Sequence, residues 1–334
     1  MGLGIRLAVF AALGSLTFAS TSAADPQLCA PLPAQLFPPD NWWNQDVYWA
    51  PVDWNSDNYI NFIGWSGADR MAMVLGGDIV GYYPQIWGMP YIVVDGWQPR
   101  VAVNMEYWQG SDGVDPNTGR PYPFYPIPDE AIWQAHWIQS GWPGYVDVRA
   151  DHDRHMVIVD RDNNHLFELW NVWFDVDSWQ WYAGAGAFWD MNQSDIRPDG
   201  WGGADESGLA ILPGILRYEE VYGPDEIQHA LRVSVPNSNG YVFPATLGLQ
   251  STPGAIPLGG RLRLKADKDI SGYPPQVQKI FRALKRYGMI ATTLADYALV
   301  AAGTYDSRWQ TDILIPAFST LSVWDFEVVE LGWR

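Results

Sequence analysis

Short runs of β-branched and aromatic residues recur along the chain, separated by clusters of glycine, proline, asparagine and aspartate. Examples are YIVVD, RVAVNMEYW, HMVIVD, HLFELWNVWF, LRVSV, RLRLKA and LSVWDFEVVEL. Runs of this length and spacing are typical of antiparallel sheets packed face to face or closed on themselves. The pattern therefore predicts a mainly β protein, an antiparallel β-sandwich of the jelly-roll kind.

Two stretches have a helical pattern. In PPQVQKIFRALKRYGM, the residues Val277, Ile280, Phe281 and Leu284 fall on one stripe, and Gly288 follows as a stop signal. The second stretch, GPDEIQHALR, is shorter. We expect two or three short helices beside the sheets.

Two hairpins can be read from the sequence. In HMVIVDRDNNHLFELW, residues 155–170, a turn at 161–164 would place Asp160 opposite His165. Because strand side chains alternate, His155, Glu168 and Trp170 would then share one face, and the other face would be wholly apolar. We expect the apolar face to be core and the polar face to be the floor of a cleft. RVSVPNSNGYVFP predicts a second hairpin, with Gly240 in its turn.

The first 24 residues have the layout of a secretory signal peptide. Arg6 precedes an apolar run over 7–18, and small residues follow up to Ala24. The apolar run is shorter than the roughly 20 residues that a membrane-spanning helix needs. We expect a secreted or periplasmic protein with one β-sandwich domain over 25–334. Its single cysteine, Cys29, has no internal disulfide partner, so stability must come from a hydrophobic core.

Charge and aromatic content limit the range of partners. The chain has 38 acidic and 20 basic residues, a formal charge of −18, which disfavours nucleic acids and anionic membranes. It also has 20 tryptophans and 17 tyrosines. Flat aromatic rings can stack on the apolar faces of sugars, so a polysaccharide or oligosaccharide partner is expected. The alternative is that these rings mainly fill the core.

Glu168, Asp205 and His155 are the candidate catalytic residues. A carboxyl beside the Trp170 indole would have its pKa raised by desolvation, as a general acid for glycosidic bond cleavage requires. Asp205 lies in the glycine-rich stretch DGWGGADESG and would be the second carboxylate. His155 would tune Glu168. The alternative is a structural Glu168 that is hydrogen-bonded to His155.

Four tryptophans are candidate sugar platforms: Trp42, Trp43, Trp170 and Trp201. No metal site and no cofactor are expected. In DHDRH, His152 and His155 would face opposite sides of a strand, so they could not share an ion. Calcium bound by loop acids stays open.

The second half of the chain resembles a group of secreted bacterial proteins of unassigned function. The stretches that carry the resemblance are ADESGLAILPGILRYEE, HALR, RLRLKA, ISGYPPQVQ and ALKRYGMI. The resemblance implies secretion and a shared fold, and it implies no chemistry.

Three functions remain as alternatives. The first is a glycoside hydrolase that acts on a neutral polysaccharide through a carboxylate pair. The second is a polysaccharide lyase, with His155 or a tyrosine as base and an arginine neutralising the uronate. The third is a surface protein that binds glycans without catalysis.

Overall fold

The computed structural model describes residues 25–76, 88–295 and 299–334. The predicted signal peptide lies outside these ranges. Within them, more residues belong to strands than to helices, so the mainly β composition is confirmed. No helix in the described ranges is long and apolar enough to cross a membrane.

A five-stranded sheet, here called the central sheet, contains the hairpin that was read from the sequence. Its strands, in spatial order, are β1 (Gln27–Leu28), β3 (Ile92–Val94), β5 (Met156–Asp160), β6 (His165–Trp170) and β9 (Ala185–Asp190). Met156 pairs with Leu169 and Asp160 with His165, so the predicted register is confirmed.

A six-stranded sheet, here called the large sheet, is built mostly from the last third of the chain. Its strands, in spatial order, are β14 (Phe326–Val328), β11 (Arg261–Leu264), β12 (Met289–Leu294), β10 (Leu231–Val235), β13 (Leu299–Ala302) and β2 (Met71–Val74). A third, small sheet consists of β4 (Val103–Met105), β8 (Gln180–Ala183) and β7 (Trp173–Asp175).

All three sheets are mixed, so the antiparallel jelly-roll arrangement is not confirmed. Parallel pairs join β3 to β5, β10 to β12, β13 to β2 and β4 to β8. Parallel neighbours need a long connection between them, and strands read one at a time do not reveal it. The second predicted hairpin is also wrong. Its first strand is β10, which pairs with the distant strands β12 and β13. Gly240 does adopt a turn conformation, with φ +68°.

Five α-helices and two 3₁₀ turns accompany the sheets in the described residues. They are α1 (Ser56–Trp65), α2 (Glu130–Trp133), α3 (Tyr218–Tyr222), α4 (Pro275–Arg286), α5 (Thr311–Ser319) and the 3₁₀ turns Leu212–Gly214 and Val323–Asp325.

The helix predicted over PPQVQKIFRALKRYGM is confirmed as α4, with its apolar stripe fully buried. The helix predicted over GPDEIQHALR is wrong. α3 ends at Tyr222, just before that stretch, and the run LRVSV places the last two residues of the stretch in β10. Two or three helices were expected and five are present in the described residues. Among those not predicted are α1 and α5, and α5 contains Pro316 in its interior.

The central sheet is buried on both faces. Met156, Ile158 and Phe167 belong to an apolar cluster shared with the small sheet. Val157 and Leu166 belong to a second cluster, which contains α4 and one face of the large sheet. The polar face of the hairpin was predicted to be a cleft floor, and over most of its length it is packed against this second cluster.

Candidate functional site

A cavity of about 780 Å³ lies between the exposed face of the large sheet and one end of the central sheet. Its size falls within the range of ligand-binding pockets. Strand alternation explains its large-sheet wall. Leu231, Val233 and Val235 of β10 are buried in the core, so Arg232 and Ser234 point the other way, into the cavity.

The neighbouring strands repeat this alternation. Val74 of β2 and Val300 and Ala302 of β13 are only partly buried and line the cavity beside Ser234. The residues between them belong to the core. The cavity wall is therefore one continuous face of the large sheet, apolar towards β2 and polar at β10.

Two stacked aromatic rings form part of the opposite wall. The Trp170 ring at the end of β6 lies 6.2 Å from the Tyr107 ring, centroid to centroid, with their planes 29° apart. Gly184 lies against the Trp170 indole, where a Cβ would come within 2.3 Å of the ring. Of the four predicted platforms, Trp170 is the one that lines the cavity.

The glycine-rich stretch DGWGGADESG is a loop that crosses the cavity. Gly202, Gly203 and Ala204 contribute backbone to the lining, and Asp205 and Glu206 contribute carboxylates. The expectation that glycines let this backbone approach a ligand fits the position of Gly202 and Gly203.

Asp205 forms a buried ion pair with Arg232. Arg232 Nη2 lies 3.0 Å from Asp205 Oδ2, and the exposed fractions of the two side chains are 11% and 3%. Oδ1 of Asp205 accepts hydrogen bonds from the backbone N–H and the hydroxyl of Ser207. Burial raises the pKa of the Asp205 carboxyl above its usual value, and the Arg232 charge opposes that shift.

Glu206 is fixed through one oxygen only. Its Oε2 accepts hydrogen bonds from the Thr293 hydroxyl at 3.0 Å and from the Leu294 N–H at 2.9 Å. Both donors are the last residues of β12, so the end of this inner strand orients the carboxylate. Oε1 accepts no hydrogen bond from the described residues, which leaves it available to a ligand.

Glu168 does not line the cavity. Its side chain is fully buried, and its carboxylate accepts hydrogen bonds from the backbone N–H groups of Ile211 and Leu212 at 2.8–2.9 Å. Burial raises its pKa to about 8, and the two N–H donors oppose that shift. The predicted contact with a substrate therefore does not fit this position, whereas a structural role does.

His155 borders the cavity, with both ring nitrogens occupied. Nδ1 lies 2.5 Å from Gln139 Oε1, and Nε2 lies 2.9 Å from the Ala204 carbonyl oxygen. A carbonyl only accepts, so Nε2 carries a proton. Burial lowers the pKa of His155 to about 4. Its ring nitrogens face Gln139 and Ala204 and not Glu168, so the predicted tuning of Glu168 by a direct hydrogen bond is not present.

The other predicted platforms lie elsewhere. Trp42 and Trp43 are almost completely buried in the core, with 6% and 0% of their surface exposed, so their rings are not free to stack on a sugar. Trp201 is half-buried beside the Arg197 guanidinium, 5.6 Å from its ring centroid, and is not a lining residue.

Sequence reasoning missed Arg232, Asp153 and Tyr107 as cavity residues, and among the acids of the glycine-rich stretch it preferred Asp205 to Glu206. A signal for Arg232 was present in LRVSV, where apolar residues alternate with Arg and Ser. The predicted site residues all lie in the first two thirds of the chain, yet β10, β12 and β13 supply most of one wall.

Among the described residues, no group of three or more His, Cys, Asp or Glu side chains is arranged to hold a metal ion. Asp205, one of the loop acids considered for calcium, has both oxygens engaged by Arg232 and Ser207. The DHDRH stretch precedes β5 and is not part of a strand, with His152 exposed and His155 buried.

No family model matches this chain, and no curated protein or solved structure is detectably similar to it.

Proposed function

We propose that the cavity binds a glycan and that the protein is a glycoside hydrolase acting on a polysaccharide without acidic groups. One observation carries the proposal: the stacked Trp170 and Tyr107 rings border the same cavity as the Asp205 and Glu206 carboxylates. An aromatic wall can hold the apolar face of a sugar ring. Carboxylates supply the acid and base or nucleophile that glycosidic bond cleavage requires.

The two carboxylates have environments suited to different roles. Asp205 is buried and held by Arg232 and Ser207, which suits an ionised carboxylate of fixed position that stabilises the positive charge developing on the sugar. Glu206 has a free Oε1 and would act on the water or on the sugar itself. Glu168, the acid expected from the sequence, has no part in this scheme, because Asp205 and Glu206 line the cavity and Glu168 does not.

The test is the release of reducing ends from a panel of neutral and cationic polysaccharides by the mature chain. Glu206→Gln keeps the hydrogen bonds to Thr293 and Leu294 and removes the charge. Its turnover should fall by roughly 10² to 10⁴ if Glu206 acts in the reaction. Asp177→Asn is the matched control, since Asp177 is exposed in the turn between β7 and β8 and does not line the cavity. No reducing ends from any polysaccharide would end the hydrolase proposal.

Glycan binding without catalysis is the second candidate. Trp133, Tyr145 and Trp179 form an exposed aromatic group away from the cavity lining, with the Trp133 centroid 5.6 and 6.0 Å from the other two. Such rings can bind sugars without any carboxylate. Binding to a polysaccharide whose chain length stays unchanged would favour this candidate.

A polysaccharide lyase is less well supported. It needs a cation to neutralise the uronate carboxylate. Arg232, the cation at the cavity, is already paired with Asp205. The proposed base His155 has both ring nitrogens occupied.

Export by the predicted signal peptide, and the resemblance to a group of secreted bacterial proteins, remain proposals that fit an extracellular polysaccharide.

A further inference from the structure

The charges that line the cavity are unbalanced. Arg232 is the one Lys or Arg among the described lining residues, and Asp205 neutralises it. Asp153 and Glu206 line the same cavity, and neither forms a salt bridge within the described part of the chain. The sequences 77–87 and 296–298, outside the described ranges, contain no lysine or arginine. Within the described residues, two carboxylates therefore line the cavity without a cationic partner.

One of these carboxylates is held in a fixed position. The side chain of Glu206 is anchored to β12 through Oε2, so the free Oε1 is pre-oriented and would lose little side-chain entropy on binding a ligand. A donor that carries a positive charge would form a stronger hydrogen bond with this oxygen than a neutral hydroxyl would.

The aromatic wall favours the same kind of ligand. The face of an indole or phenol ring attracts an ammonium group within about 6 Å of its centroid. Trp170 and Tyr107 line the cavity together with Asp153 and Glu206. A cavity that combines aromatic faces with unpaired carboxylates is thus complementary to an organic cation, and it repels anions.

We propose that this cavity selects sugars that carry a protonated amino group, with the ammonium held by Glu206, the Asp153 charge adding to the attraction, and the sugar ring against Trp170. The proposal rests on the glycan-binding function proposed above and names its substrate class, a glycan with free amino groups. Uronates and other acidic sugars are excluded by the same charges.

The experiment compares four β-1,4-linked tetrasaccharides by calorimetry on the mature chain: those of glucose, N-acetylglucosamine, glucosamine and glucuronate. The first three differ only at carbon 2, as a hydroxyl, an acetamide and an ammonium. We expect the glucosamine tetramer to bind about 10-fold tighter than the glucose tetramer in low salt, and this ratio to fall as salt screens the charges. The glucuronate tetramer should bind most weakly.

Variants locate the source of the selectivity. Glu206→Gln should reduce the preference for glucosamine to below about 3-fold, since it removes the charge-assisted hydrogen bond. Asp153→Asn, at an exposed position that tolerates change, should reduce it by a smaller factor even if Glu206→Gln lowers stability. Asp177→Asn, which removes a charge outside the cavity, should leave the preference intact.

The outcomes separate this inference from the proposed function. Equal binding of the glucose and glucosamine tetramers would overturn the selectivity and leave glycan binding standing. A preference for glucosamine that survives in both Glu206→Gln and Asp153→Asn would overturn the assignment to these carboxylates. Binding of none of the four sugars would overturn both proposals.

Discussion

Nε2 of His155 lies 2.9 Å from the carbonyl oxygen of Ala204, the residue that immediately precedes Asp205. The same hairpin also holds the far end of this loop, because the Glu168 carboxylate accepts the N–H groups of Ile211 and Leu212. Two polar groups, His155 immediately before β5 and Glu168 in β6, therefore fix both ends of the segment that carries the candidate acids. The polar face of the hairpin thus positions the loop that carries Asp205 and Glu206.

Replacing His155 by Phe tests this support. The substitution keeps a ring of similar shape and removes the Nε2–H donor, leaving the Ala204 carbonyl oxygen without its partner. We expect a loss of about 1–3 kcal/mol in the free energy of unfolding and faster amide exchange over residues 204–207. Urea unfolding and hydrogen-exchange mass spectrometry measure the two effects.

The control is His152→Phe, three residues earlier and exposed. It should change the free energy of unfolding by no more than about 0.5 kcal/mol. Equal stability of the two variants, with unchanged exchange in the loop, would contradict the role assigned to His155.

The Glu168 carboxyl predicts a pH dependence of stability. Its pKa is raised to about 8 in the folded chain, while in the unfolded chain it returns to the ordinary value for glutamate. Between these two values the folded state holds a proton that the unfolded state has lost, so stability falls as pH rises towards 8. The slope is at most about 1.4 kcal/mol per pH unit.

Glu168→Gln removes this titration and keeps an oxygen that accepts the N–H groups of Ile211 and Leu212. The melting temperature of the natural chain should therefore fall relative to that of the variant between about pH 6 and pH 8. Taking the difference between the two proteins cancels other groups, including His155. A difference that stays constant over this range would show that Glu168 does not titrate there.

The local structure of the central hairpin could be predicted because it depends on neighbours in sequence. The alternation in HMVIVD and HLFELW fixed which residues pair, and the turn at 161–164 set the register. What lies on each face depends on distant segments. The face with Val157 and Glu168 is covered by the apolar cluster that includes residues of the large sheet, and no pattern within the hairpin indicates that cover.

The same limit applies to the candidate site. Asp205 was chosen because glycines surround it, and the structure does place its carboxylate at a cavity. Its partner Arg232 lies in a strand 27 residues further along, and the contact exists because β10 faces the loop. The Glu168 acid was chosen from its neighbours within the hairpin, and those neighbours could not reveal the N–H groups of Ile211 and Leu212.

Two tryptophans from the same list of predicted platforms should differ in what their substitution changes, stability for Trp43 and mainly sugar binding for Trp170. Trp43 is fully buried and Gly214 packs against its ring, so Trp43→Ala should lower the free energy of unfolding by about 3–5 kcal/mol. Trp170 lines the cavity and is only partly buried, so Trp170→Ala should lower stability less and weaken sugar binding at least several-fold.

Trp97→Ala, at an exposed position outside the cavity lining, is the control and should change neither quantity. Urea unfolding and calorimetric titration of the folded variants give the comparison. If Trp170→Ala binds the sugars as well as the natural chain does, the ring is not part of the site.

Substitution of Gly208 tests whether the loop fixes the position of the Asp205 carboxylate. It has φ +74°, and a Cβ there would lie 2.2 Å from the Thr246 hydroxyl and 2.6 Å from the Trp201 carbonyl oxygen. Gly200, in the same loop, has φ +81° and open space around it. Both Gly→Ala variants carry the backbone penalty, about 1 kcal/mol, and only Gly208→Ala adds the overlap with Thr246 and Trp201. Gly208→Ala should therefore lose more stability in urea unfolding.

Gly208→Ala should also weaken sugar binding, because it displaces Ser207, which holds the Asp205 carboxylate. Equal losses in the two variants, with sugar binding unchanged in both, would mean that the loop absorbs the displacement without moving Asp205.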